Sequence, residues 1–282
     1  MPAFQHGLGL LRMDLIDARD WGYLRDPPSD INPTKRLLER YSLIPSSQLD
    51  HHIRAIRDIA WGISRYPYIG RWKFIRLLDT HDSRYKQTLF RLKLTNSRDI
   101  VLDVGCCVAP LLRQLRAEGI PGRQLYGTDY ETRFFDLGYA LFKDRDTLDA
   151  TFVPGDLLDF DDTRLNALRG KVTIIHASSF FHLFNWVQQL GIGKRLVSFI
   201  KPGTTNALVF GRQMGARKPG SPRGHARSSV YLHNESSFQR LWDEIGELTG
   251  TKWSVMFEHG AEDPNDKTDA PHPIDFTVYQ IP

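Results

Sequence analysis

Three aspartates, at 103, 129 and 156, a glycine at 105 and histidines at 176 and 182 are the residues whose types and spacing suggest chemistry. Gly105 closes the short apolar run Ile100-Val101-Leu102 with a sharp turn, and Asp129 follows that glycine by 24 positions. A turn glycine lets a ligand approach the backbone, and a carboxylate about 20 residues further on accepts the hydroxyls of a ribose. Asp129 is therefore expected to bind ribose. Asp156, in Gly155-Asp156-Leu157, is expected to meet an adenine amino group, the alternative being a turn aspartate. Asp103 either holds the turn backbone or meets an ammonium group of the ligand. Imidazole titrates near neutrality, so His176 and His182 are the candidate bases; each is alternatively a satisfied structural residue among aromatics.

The turn discriminates among nucleosides. A dinucleotide fingerprint requires glycines at its first, third and sixth positions, where this chain has Gly105, Cys107 and Pro110. A pyrophosphate is held by backbone N–H groups at that helix start, and proline has none. Proline is nevertheless welcome as a first helical residue. The turn is built to open a helix and poorly built for a pyrophosphate. A nucleoside without phosphates is expected, S-adenosylmethionine being the common one, with an unliganded structural turn as the alternative.

Strands must end at these residues to present them. Leucines at 111, 112 and 115 have helical spacing, and Leu125 to Asp129 reads as a second strand. The alternation predicts a helix over 131–143, a strand from Thr151 ending at Asp156, and a strand over 171–176. It continues with a helix starting near Phe180, capped by residues 177–179 and running to Ile200, then a strand over 206–210 and a helix capped by Asn234. Strands over 252–257 and 275–281 should form an antiparallel pair. The expected fold is α/β, a class I, Rossmann-like methyltransferase sheet of seven strands with a terminal antiparallel hairpin. Ligands of such sheets sit beyond the carboxyl ends of the strands. That places Cys106, Tyr130, Leu157 and His176 with Asp103, Gly105, Asp129 and Asp156 as cofactor contacts, and Arg212 in the acceptor pocket.

Residues 1–98 are expected to form a mostly helical N-terminal segment or lid, and 99–282 the cofactor-binding domain. Residues 26–33 are expected as a loop, with Thr34 capping a helix and Ser46 or Ser47 starting another whose apolar face carries Leu49, Ile53, Ile56 and Ile59. The aromatic cluster Trp61, Tyr66, Tyr68, Trp72 and Phe74 is either core or lid; Tyr68 and Trp72, with Phe181, are assigned to the acceptor pocket. The Gly/Pro/Arg-rich stretch 214–229 reads as a mobile loop.

The chain is 41% hydrophobic and 25% charged, which is ordinary for a soluble protein. No run approaches the roughly 18 apolar residues of a membrane span, and the N-terminus lacks the pattern of a signal peptide. Two adjacent cysteines, Cys106 and Cys107, with no second pair, argue against a disulfide framework and a cysteine zinc site. A reducing cytoplasm and no metal are expected. Of the charged residues, 17 basic against 11 acidic fall in the first 99 positions. They are scattered among leucines and aromatics, which fits a solvated helical surface rather than a nucleic-acid site. The partner expected is a small-molecule acceptor, without nucleic acid or membrane, and the oligomeric state is left open.

VLDVGCC, QLYGTDYETRFFDLGYALFKDRDTL, GKVTIIHASSFFHLFNW, VFGRQMG, SRYPYIGRWKFIRL and LHNESSFQRLWDEIG resemble fungal secondary-metabolite methyltransferases. The meroterpenoid and polyene-pyrone enzymes are similar over roughly residues 55 to 260. The resemblance implies S-adenosylmethionine as donor and O-methylation of a polyketide or terpenoid carboxyl, phenol or enol. It also implies a cofactor site lined by Gly105, Asp129, Tyr130, Asp156, Leu157 and His176. The chain departs from the family at Ala109, where a glycine is usual, and a methyl there is expected to narrow the space beside the cofactor's methionine part. Alternative readings are a fold recruited for dehydration or pericyclic cyclisation, and a partner-binding pseudoenzyme.

Overall fold

A computed structural model describes residues 22–221, 230–259 and 270–282. The expectations for the extreme N-terminus, for residues 222–229 of the 214–229 loop and for the link between the last two strands lie outside these residues; Met214 and Gly215, expected in that loop, are strand.

Strand alternation decides how the sheet is covered. In β1 (Val101–Val104) and β4 (Ile174–His176), Leu102, Val104 and Ile175 point to one face, and Val101 and Ile174 to the other. The first face is covered by α7 (Trp186–Phe199) and α8 (Glu235–Thr249), through Ile192, Leu196, Phe238 and Trp242. The second is covered by α4 (Ser83–Lys93) and α5 (Pro110–Ala117), through Tyr85, Leu92, Leu111 and Leu115. The helices α1 (Asn32–Arg40) and α2 (Ser46–Ile63) and the short α3 (Pro67–Gly70) share a separate apolar cluster with α6 (Arg133–Phe142).

The sheet order is β3-β2-β1-β4-β5-β7-β6, with β2 (Leu125–Asp129), β3 (Thr151–Pro154), β5 (Leu208–Gly215), β6 (Lys252–His259) and β7 (His272–Ile281). The first five strands are parallel; β7 inserts antiparallel between β5 and β6. This is the class I methyltransferase topology, as expected. All the chemistry-bearing strand ends face one edge.

Local readings differ from the structure at four points. The first helix begins at Asn32, with Pro33 in its first turn where a missing N–H costs nothing. Thr34 lies inside that helix and donates its hydroxyl to the Ile75 carbonyl at 2.6 Å. Ile59 is 55% exposed, and Ala60 takes its place on the buried face of α2. No helix starts at Phe180. Residues 181–183 make a single 3-10 turn, and α7 starts at Trp186, where Asn185 and Gln188 form a reciprocal capping box. Ser179 is instead left-handed (φ 54°), and its N–H donates to the Arg212 carbonyl.

One buried ion pair ties together α5, α6 and the end of α1. The Arg113 guanidinium, fully buried in α5, donates to both carboxylate oxygens of Asp144 at 3.0 and 3.2 Å and to the Val108 carbonyl. Asp144, just beyond α6, also accepts from the Tyr41 hydroxyl at 3.0 Å, at the end of α1. Removing one partner leaves the other charged and desolvated. Asp144→Ala should therefore lower unfolding stability by about 3–5 kcal/mol, read as a lower urea midpoint at unchanged slope. A loss under about 1 kcal/mol would show that the pair is not structurally important.

Candidate active site

A cavity of about 300 Å³ lies over the carboxyl ends of β1 to β4. Its floor is the turn after β1. Gly105 has φ +62°, and a Cβ there would come within 2.9 Å of the Phe180 ring, so both backbone angle and close packing require glycine. Cys107 and Ala109 follow with φ of 50° and 47°. Left-handed backbone at a residue bearing Cβ costs roughly 1–2 kcal/mol, and the α5 helix opening at Pro110 carries that strain. The Ala109 methyl is fully buried in the cluster shared by α4, α5 and the sheet, away from the cavity. The expected narrowing at that position is therefore corrected: the substitution strains the backbone rather than filling the site.

Asp129, at the end of β2, lines the cavity with its carboxylate already oriented. Oδ2 accepts from the Cys107 N–H at 2.9 Å and Oδ1 from the Glu131 N–H at 3.0 Å. Burial pushes its pKa up to about 6, against those two hydrogen bonds, which favour the charged form. The turn beyond β3 brings in Asp156, whose Oδ1 accepts from the Leu158 N–H at 2.9 Å. The residue is thus a turn aspartate and a cavity residue at once. Its own N–H donates to Asp162, whose carboxyl is held well below the ordinary range chiefly by the Arg164 guanidinium. Arg195 of α7 clamps the same loop by donating to the carbonyls of Asp156, Asp159 and Asp162.

Gly105, Asp129, Tyr130, Asp156, Leu157, His182 and Tyr68 all line the cavity, as read from the sequence. Six other expected site residues do not. Asp103 and His176 are buried beneath it and paired, with Nδ1 of the histidine 2.7 Å from Oδ1 of the aspartate. That contact uses one nitrogen of the histidine and one oxygen of the aspartate, and His176 Nε2 is buried with no hydrogen-bond partner among the described residues. Cys106 points into the core, and Cys107 takes its place at the cavity because the chain turns left-handed between them. Trp72 is fully buried, its indole N–H donating to the Leu24 carbonyl and its ring covered by Arg57 at 4.2 Å. Phe181 is buried against Phe238, Trp242 and Phe276. Arg212 is held by both oxygens of Asp275 at 2.8 Å.

The N-terminal segment closes the cavity from above through residues 64–69, including Tyr66 and Tyr68, whose rings stack at 6.4 Å. The aromatic cluster is thus divided: Trp72 and Phe74 are core, whereas the two tyrosines roof the site. Burial pushes Tyr66 up to about 12 and Tyr68 higher still, so both hydroxyls stay protonated. His182 is pushed down to about 4 by burial, with the charge of Lys73 adding to the effect. Its Nδ1 is buried with no hydrogen-bond partner among the described residues. Phe184 and Val230 complete the wall, and of the two only Val230 carried no signal in the sequence.

Residues 23–75 match the family model described as the meroterpenoid methyltransferase N-terminal domain. The chain is 37% identical over 245 residues to the O-methyltransferase phiE of a fungal species, covering 83% of this chain and 80% of that one. It is 34% identical over 240 residues to the asnovolin E/chermesin D methyltransferase nvfJ of Aspergillus novofumigatus, covering 84% of each. A solved phosphoethanolamine N-methyltransferase of Haemonchus contortus aligns with a TM-score of 0.49 at 15% identity, over 88% of this chain and 60% of that one.

The titrations of the cavity can be read directly. Carboxyl-labelled NMR of the ligand-free protein should place the Asp129 midpoint near 6, and imidazole resonances should place His182 near 4. Ordinary midpoints for both groups would contradict the burial that shapes this site.

Proposed function

As a member of the fungal secondary-metabolite O-methyltransferase family, to which the chain belongs, the protein is an S-adenosylmethionine-dependent methyltransferase, and we propose that its acceptor is a polyketide or terpenoid carboxylic acid. The observation that carries the donor assignment is Asp129, a carboxylate held facing the cavity by two N–H groups beside the Gly105 turn. Its remaining lone pairs suit the two hydroxyls of a ribose. Asp156 suits the adenine amino group, since only one of its oxygens is used by the Leu158 N–H. When bound, S-adenosylmethionine supplies a methyl carbon activated by a cationic sulfur.

The protein's own task is then positioning and exclusion of water. Tyr66, Tyr68, Phe180 and Phe184 give the cavity mainly apolar walls. His182 favours a carboxyl acceptor over a phenol. A histidine that holds its proton only below about 4 is a poor base for a phenol, whose own pKa is about 10. A carboxylic acid arrives ionised and needs no base. Lys73 places a positive charge on the His182 side, which favours an anionic acceptor there, whereas Arg76 and Arg212 are paired with Asp30 and Asp275.

Two measurements test this reading. Label from methyl-labelled S-adenosylmethionine should enter aromatic polyketide acids as an ester and be released as methanol by mild alkali. Label that resists alkali would mark a phenol ether and refute the carboxyl assignment. Asp129→Ala should weaken S-adenosylhomocysteine binding in calorimetry by about 1–3 kcal/mol. In the wild type the same affinity should fall as pH drops through about 6, because a protonated carboxyl loses acceptor capacity. Affinity indifferent to both would remove Asp129 from the site.

A further inference from the structure

Helix α7 braces the cavity at two points, only one of which belongs to the loop that carries Asp156. Arg195 holds that loop by its carbonyls. Six residues earlier, Gln189 is fully buried, and its amide nitrogen donates to two carbonyls at once: Phe184 at 2.8 Å and Tyr231 at 2.9 Å. The Tyr231 N–H in turn donates to the Phe184 carbonyl at 2.9 Å. Phe184 and Val230, the neighbour of Tyr231, are both cavity walls. The two segments come from distant parts of the chain, one after β4 and one after β5, and Gln189 joins their backbones.

The amide has a defined orientation. With both hydrogens spent on carbonyls, its oxygen must accept, and it lies 3.0 Å from Nε2 of His233. That nitrogen therefore carries the hydrogen, leaving Nδ1 bare and 3.0 Å from the Ser237 hydroxyl. The His233 ring is packed among Trp186, Tyr231 and Phe238 with centroid separations of 4.8 to 5.5 Å, so it cannot turn over to offer the other nitrogen. Burial keeps the imidazole neutral, pushing it down to about 3. A flipped amide would set its nitrogen against Nε2–H and its oxygen against two carbonyls.

We propose that Gln189 and His233 are positioning residues for the donor cavity: Gln189 sets the wall formed by Phe184 and Val230 opposite the braced Asp156 loop, and His233 anchors Gln189 through its amide oxygen. The claim rests on the reading of this cavity as the S-adenosylmethionine site. Neither residue touches the ligand; both act through the wall.

Calorimetry with S-adenosylhomocysteine tests the pair. Gln189→Glu keeps the size and the acceptor for His233 but removes both N–H donors; His233→Ala leaves the buried amide oxygen without its donor and the side chain without its anchor. Each should weaken binding by about tenfold or more. His233→Gln, whose side-chain amide can still donate to Gln189, should bind within about threefold of wild type. The distant variant Arg91→Ala, which breaks the ion pair with Asp99 at the amino end of β1, serves as control, lowering the melting temperature without changing the affinity. Wild-type affinity in folded Gln189→Glu and His233→Ala overturns the proposal. So does equal loss in Arg91→Ala, which would mark a general effect of stability, or failure of His233→Gln to restore binding. A wild-type protein that binds no S-adenosylhomocysteine would overturn the donor-site reading itself, a result distinct from a wild type that binds and variants that do not differ.

Discussion

A carboxylate drawn partly out of water, at the end of a parallel strand and tethered by two backbone N–H groups, is the constraint on which the site depends. Asp129 is positioned by the main chain, not by other side chains, so its placement follows from the turn after β1 and from the first residues after β2. Burial works against its charge and raises its pKa to about 6. In the folded state this group binds its proton more tightly than in the unfolded chain. Its own contribution to stability therefore declines as pH rises from about 4 to 6. A group that opposes folding at neutral pH while keeping lone pairs toward a cavity is what a binding site requires and a core does not.

The turn that supplies one of those N–H groups carries strain of its own. Three consecutive odd positions, 105, 107 and 109, are left-handed, and only the first is glycine. The surrounding packing must over-determine this conformation. It does so through the cluster beneath Ala109 and through the Arg113 guanidinium, which accepts no flexibility in the Val108 carbonyl it donates to. Floor and carboxylate are therefore one mechanical unit. The roof belongs to the N-terminal segment, which packs on α6 and offers two tyrosines.

Much of this was legible in the primary structure because the signals are local. An apolar run, a glycine, leucines at helical spacing and a carboxylate after the next strand fall within thirty or so residues, and periodicity locates them. The class of sheet and its terminal antiparallel pair followed from the alternation of elements; the strand order comes from their pairing. What escaped was decided at long range or by one backbone angle. Which of two adjacent cysteines meets the cavity depends on a positive φ at Cys107. Trp72 and Arg212 were plausible pocket residues until their partners, Leu24 with Arg57 and Asp275, came from elsewhere in the chain. Asp103 and His176 lie on adjacent strands in register, so they pair with each other beneath the cavity rather than line it. Residues 177–179 read as a cap in the sequence, and only the structure shows that the Ser179 N–H pairs with the Arg212 carbonyl while Asn185 and Gln188 cap the helix.

The central claim is that one adenosine lies along the strand ends with its sugar on Asp129 and its base near Asp156. A crystal structure with S-adenosylhomocysteine addresses it most directly. The account predicts both ribose hydroxyl oxygens within about 2.6–3.2 Å of the Asp129 carboxylate and the adenine amino group within reach of Asp156. A nucleoside seated elsewhere, or an Asp129 side chain turned away from the sugar, would contradict it.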